Sequence, residues 1–132
     1  MKTYANLSTT GKPGVSLHNL QATELALNVT LDSQYKKLFQ LVNAPEFGEW
    51  IFYPIKDTNN LKKTFDDVVR NTNLSRESWL PEEYVVIAEN GTGDYVCMLS
   101  ENQQVYYANH ETNSLEVVAD NLKDFIDQIA KI

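Results

Sequence analysis

Residues with the means to do chemistry are few in this chain, and each set fits a simpler role. Gly91-Thr92-Gly93 has the composition of a phosphate cradle. Such a cradle opens a helix whose first amides converge on the anion. The residues that follow, Tyr95-Val96-Cys97-Met98-Leu99, read instead as a strand, so the glycines suit a hairpin turn that needs positive φ. A metal site needs several His, Cys or carboxylate side chains at ligand spacing. His18 and His110 lie far apart, and His110-Glu111 is a single pair in a polar loop. No Gly-x-Ser-x-Gly motif presents an activated serine. Cys97, the sole cysteine, forms no internal disulfide and reads as a buried strand thiol between Val96 and Met98. Asp66-Asp67 and Glu82-Glu83 are adjacent carboxylates. Neighbours on a helix point in different directions, so Asp66 and Asp67 make no acid–base pair by spacing alone. Catalysis, metal binding and cofactor binding are not indicated.

Charge is more informative. The 132 residues include 18 acidic and 11 basic side chains, a net charge of −7. Met1–Arg76 is close to balanced at +2, whereas Glu77–Ile132 holds two basic and eleven acidic residues, a net of −9. Affinity for nucleic acid or anionic lipid comes from clustered Lys and Arg, so both are disfavoured as partners. An acidic segment of this kind has a bland reading as solubilising surface and a sharper one as a face that steers a basic protein partner. On the sharper reading the contacts are Glu82, Glu83, Glu89, Asp94, Glu101, His110, Glu111 and Glu116, on turns and strand edges. No apolar run reaches the length of a membrane span, and Met1-Lys2-Thr3-Tyr4-Ala5-Asn6 lacks a signal-peptide core. The expected compartment is cytoplasmic.

The elements that must position these residues follow from periodicity and punctuation. Residues 1–17 show no apolar period and contain Ser8-Thr9-Thr10-Gly11-Lys12-Pro13-Gly14, which reads as a flexible lead-in to a domain of 18–132. A short helix is expected around Leu20–Leu27. Asp32 can cap a second helix with Tyr35, Leu38, Phe39 and Val42 on one face, ended by Asn43-Ala44-Pro45. Glu49–Ile55 reads as a strand closed by Pro54. Leu61, Phe65, Val68 and Val69 mark a further helix, capped by Asp57 or Thr58 and broken at Asn71-Thr72-Asn73. Strands are expected at Tyr84–Ala88, Tyr95–Leu99, Val105–Ala108 and Leu115–Val118, then a helix capped by Asp120 with Leu122, Phe125, Ile126 and Ile129 inward. Trp50, Phe52, Tyr84, Tyr95 and Tyr106 alternate with aliphatic residues, and most are expected in the core. Any exposed tyrosines beside acidic side chains would suit a protein interface. The fold class is α+β in one domain.

In this order the elements resemble the SUKH superfamily, the domain of fungal cell-wall-synthesis regulators and of many bacterial immunity proteins. The resemblance rests on Leu80-Pro81-Glu82-Glu83-Tyr84-Val85-Val86-Ile87-Ala88, the turn Asn90-Gly91-Thr92-Gly93-Asp94-Tyr95, Val105-Tyr106-Tyr107-Ala108-Asn109-His110-Glu111, and Ala119-Asp120-Asn121-Leu122-Lys123-Asp124-Phe125-Ile126. Two positions depart from the pattern. Asp32 stands where the family has proline after leucine, and Asn43-Ala44-Pro45 replaces an Asn-Gly-Gly. The resemblance implies a mostly antiparallel sheet of about six strands flanked by helices, with a C-terminal helix. It implies a binding protein without catalysis, and an immunity protein (antitoxin) whose partner is a cognate toxin domain, a basic nuclease. The alternative is a housekeeping protein-interaction module. The family fixes no shared binding surface, so the acidic contacts above rest on charge alone.

Overall fold

Four helices begin on a side chain that accepts an otherwise orphaned backbone N–H. Ser16 accepts from Asn19, Asp32 from Tyr35, Asp67 from Arg70 and Asn121 from Asp124. Each such cap is worth about 1 kcal/mol, and together they set where the chain turns into helix. A computed structural model describes residues 1–130. The elements run α1 (Lys2–Leu7), α2 (Leu17–Leu27), α3 (Ser33–Leu41), β1 (Glu46–Phe47), β2 (Trp50–Phe52), α4 (Val68–Ser78), β3 (Tyr84–Glu89), β4 (Tyr95–Leu99), β5 (Val105–Asn109), β6 (Ser114–Ala119) and α5 (Leu122–Ile129). All six strands form one antiparallel sheet in chain order, with β1 and β6 at its edges. The expected α+β fold with a C-terminal helix is the observed one.

Strand parity decides which side chains reach the core. Val85 and Ile87 of β3, Val96 and Met98 of β4, and Val105 of β5 face one side, where they pack with Tyr35, Leu38, Phe39, Phe52, Leu122, Phe125 and Ile126. The helices cover that side. Tyr35 stacks on Phe39 at 4.3 Å between ring centroids, and Trp50 meets Phe125 edge to face at 5.6 Å. Cys97 has the opposite parity and is fully buried in a smaller cluster with Leu80, Val86 and Ala108. Burial pushes its thiol well above the usual range, which suits an inert strand residue.

The loop-facing edge of β3 is shared between two partners. Strand β2 pairs only with Ala88 and Glu89. Below that, α4 takes over: the Val86 N–H donates to the Thr72 hydroxyl at 3.0 Å, and the Arg76 guanidinium donates to the Tyr84 carbonyl at 3.4 Å. Side chains thus complete a ladder that a backbone strand leaves unfinished.

This docking explains the main departure from the expected elements. Leu61 and Phe65 have helical spacing but lie in exposed turns, and the helix starts at Val68 because Asp67, not Asp57 or Thr58, caps it. Asn71-Thr72-Asn73 lies inside α4 rather than ending it, because Thr72 is held against β3 and the Asn71 amide donates back to the Asp67 carbonyl. Asn121, one residue after Asp120, caps α5. The strand expected at Glu49–Ile55 is shorter, Trp50–Phe52, and turns back on the two-residue β1. Asn43 closes the base of that hairpin. Its carboxamide accepts from the Ile55 N–H (2.9 Å) and donates to the Ile55 carbonyl (3.1 Å), both buried. The next residue, Ala44, has φ +49°, so the position of the family's first glycine is still left-handed although a Cβ now occupies it.

The segment read as a lead-in lies along α3. Pro13 bridges Val42, the Val15 N–H donates to the Phe39 carbonyl at 2.9 Å, and Val15 is buried. Gly14 passes so close that a Cβ there would fall 2.0 Å from the Gln40 carbonyl oxygen. Helix α1 has no fully buried residue; Tyr4 and Ala5 pack half-buried against the margin of the core, and the Tyr4 hydroxyl donates to Asp127 of α5.

Candidate protein-interaction site

Strand length separates the acidic residues singled out by charge. Glu82 and Glu83 are exposed in the loop before β3, and Glu101 is exposed at the β4–β5 turn, where its N–H donates to the Thr30 carbonyl. These three lie at one end of the sheet. Glu89, Asp94, His110 and Glu111 lie at the other end, a distance of roughly 20 Å at about 3.3 Å per residue along β4. Glu116 sits between them on the edge strand β6, opposite Tyr107. Eight residues named for one surface therefore occupy two ends and an edge.

At the second end the hairpin loops make a small network. The Tyr107 hydroxyl donates to Asp94 at 2.5 Å, the His110 N–H donates to the same carboxylate at 2.9 Å, and His110 Nδ1 lies 2.6 Å from it. The Tyr107 bond first, then the two from His110, hold the Asp94 carboxyl down to about 2. The same bond raises the Tyr107 hydroxyl. Gly91 and Gly93 have φ +82° and +96°, and a Cβ on Gly93 would sit 3.1 Å from the His110 ring. The Gly-Thr-Gly sequence thus makes the turn and leaves room for His110. Among the described residues no three His, Cys, Asp or Glu side chains converge as a metal set.

The side of the sheet away from the helices carries a different pattern. Tyr84, Tyr95 and Tyr106, expected mostly in the core, are half-buried there with Tyr53, Trp79 and Leu115, over the small Val86–Cys97–Ala108 cluster. The reason is parity: each tyrosine neighbours an inward valine or sits directly opposite a cluster residue on the next strand. Tyr84 meets Tyr106 edge to face at 5.3 Å, and Trp79 lies 6.4 Å from Tyr95. Ile51 and Val117 extend the apolar surface and are exposed. Acidic groups border it. The Tyr53 hydroxyl donates to Glu89 at 2.7 Å, and burial followed by this bond raises the tyrosine. At the opposite border the Arg76 guanidinium donates to the carbonyls of Glu82, Leu27 and Tyr84 and so fixes the loop that carries Glu82 and Glu83. The aromatic face was missed as a site, although the period-two alternation of Tyr84, Tyr95 and Tyr106 against inward residues signals it.

The chain matches the model of the SMI1/KNR4 family (SUKH-1) over residues 14–128. It belongs to that family. No curated protein matches it. SUKH-1 includes immunity proteins of polymorphic toxin systems, and its members are generally non-catalytic. Within this SUKH-1 domain no helix among the described residues is long and apolar enough to cross a membrane.

Proposed function

We propose that this SUKH-1 domain is an immunity protein that binds a cognate toxin domain, a basic nuclease, through the open aromatic face of its sheet. The carrying observation is that face: Tyr53, Trp79, Tyr84, Tyr95 and Tyr106 share one side of the sheet and are bordered by Glu82, Glu83 and Glu89. Tyrosine and tryptophan are enriched at interface hot spots because they bury large rigid area at small entropic cost. A nuclease site is electropositive because it must hold phosphates, so an acidic border complements it and speeds encounter. The two ends of the sheet play unequal parts in this reading. Glu82 and Glu83 steer from one end, while at the other Glu89 is held by the Tyr53 hydroxyl and Asp94 by Tyr107 and His110.

The test mixes the protein with the toxin domain encoded beside its gene and follows nuclease activity and association rate. Equimolar protein is expected to abolish cleavage. Replacing both Tyr84 and Tyr106 by Ala is expected to weaken binding by tenfold or more. Glu82→Lys with Glu83→Lys is expected to slow association at low salt, an effect that fades as salt rises. Unchanged kinetics in both variants would refute this reading. A gene with no toxin neighbour and no inhibited nuclease would favour the housekeeping interaction module.

A further inference from the structure

We propose that Asn90 is a self-modification site, whose side chain condenses with the Gly91 backbone nitrogen, sheds ammonia and opens with water to aspartate or isoaspartate. Asn90-Gly91 is the sole Asn-Gly dipeptide in the chain. Glycine has no Cβ to crowd the attacking nitrogen.

The turn between β3 and β4 prepares both reacting groups. The Thr92 N–H donates to Asn90 Oδ1 at 3.1 Å, and the Thr92 hydroxyl donates to the same oxygen at 2.6 Å. A backbone N–H can only donate, so the atom it meets is the carboxamide oxygen and not its nitrogen. Two donors on one carbonyl oxygen draw electrons from its carbon. They also meet the negative charge that gathers on that oxygen during attack, as the donors of an oxyanion hole do. The nucleophile is unengaged: the Gly91 N–H donates to nothing among the described residues. Space is open as well, with no atom within 4 Å of where a Gly91 Cβ would stand, and residues 91–93 are exposed to water.

The Gly91 nitrogen adds to the Asn90 carboxamide carbon and gives up its proton. The bond from that carbon to the side-chain nitrogen breaks, and ammonia leaves. Water then adds to either carbonyl of the resulting succinimide ring. One opening gives aspartate; the other gives isoaspartate, whose main chain runs through the former side chain and is one atom longer. Ammonia is lost and water gained, with no change of oxidation state.

Either product disturbs the network beside the turn. The Asp94 bond and burial raise the Tyr107 hydroxyl, and the Asn90 carboxamide is the group that lowers it. A carboxylate at position 90 has no N–H to offer and repels Asp94. Isoaspartate further lengthens the turn that sets Glu89 opposite Tyr95. The end of the sheet that carries Glu89 and Asp94 thus gains a negative charge with age, whether or not the toxin reading holds.

Folded protein held at mildly alkaline pH, then unfolded and cleaved after glutamate, tests the proposal by peptide mass. Residues 90–101 form a peptide whose one asparagine is Asn90, and residues 112–116 form one whose asparagine is Asn113. Asn113-Ser114 is an exposed internal reference whose carboxamide oxygen accepts no hydrogen bond among the described residues. Asn90 is expected to convert about tenfold faster in folded protein than in urea, an exposed pair of donors being worth less than a water-excluded one. Asn113 is expected to show no such acceleration. Thr92→Val keeps the N–H and removes the hydroxyl at an exposed position. It is expected to slow conversion in folded protein severalfold and to leave the rate in urea unchanged. A folded rate no higher than the rate in urea, or a folded Thr92→Val protein that converts as fast as wild type, would overturn the proposal.

Discussion

Replacing Asn43 by Leu tests how the hairpin that begins the sheet is held. The substitution keeps the γ-branched side-chain shape but deletes both hydrogen bonds to Ile55, whose side chain is fully buried. It leaves one N–H and one C=O in the core without partners. Each such group costs about 1–3 kcal/mol, and partial relaxation at the chain's exit from β2 brings the pair to about 3 kcal/mol. For a domain of this size that lowers the melting temperature by about 10 °C. Chemical denaturation followed by tryptophan fluorescence is a suitable assay, since Trp50 lies in the same hairpin. Asn43→Asp sharpens the argument. At neutral pH its carboxylate faces the Ile55 carbonyl without a donor, so the folded state raises its pKa and the variant loses stability. As pH falls through that raised pKa, the protonated carboxyl can both donate to and accept from Ile55, and the deficit relative to wild type shrinks toward the unfolded value of about 3.9. A loss below about 1 kcal/mol in the leucine variant, or a deficit in the aspartate variant that ignores pH, would refute the two-bond clamp.

Further expectations concern the ends of the molecule. Asp94 is held at about 2 in the folded state against 3.8 ordinarily, so its contribution to stability is present above pH 4 and is lost as pH falls toward 2. Tyr107→Phe removes the leading cause, and an NMR titration is expected to show the Asp94 carboxyl moving up toward its ordinary value; an unmoved titration would assign the depression to His110 alone. Helix α1, six residues long with no side-chain cap and no buried residue, is expected to exchange its amide hydrogens at nearly the unfolded rate, whereas the Val15 amide, bonded to Phe39, is protected. Strong protection across Lys2–Leu7 would contradict the reading of that segment as a mobile lead-in.

Strand parity and caps were legible wherever the deciding partner lay nearby in sequence. Asp32 announces α3 because its acceptor meets an amide three residues on. The four strands after Tyr84 are legible because short turns separate alternating runs. Helix α4 was not, since what holds it in place is distant: Thr72 is kept helical by an amide of β3, and Leu61 and Phe65 mimic a core stripe that no neighbour covers among the described residues. The acidic site was legible as composition but not as a surface. The rise of about 3.3 Å per residue carries residues at the two ends of a strand to opposite ends of the sheet, and a count of charges contains no such distance. Alternation assigns the tyrosines to a common face, and whether that face is covered depends on elements distant in sequence, so their half-buried state differs from the expected core placement.

The two edges of the sheet have unequal capacity. Strand β1 offers two residues and β6 offers six, and Gln128 of α5 already donates to the Val118 carbonyl of β6. Because β1 is two residues long, a head-to-tail stack of β1 on β6 leaves most of the longer edge unpaired. A second copy that added its β6 to this one would close on a two-fold axis and leave only the short β1 ends outward. Edge pairing in concentrated protein, as in an overproducing cell, is therefore expected to favour discrete pairs over growing stacks.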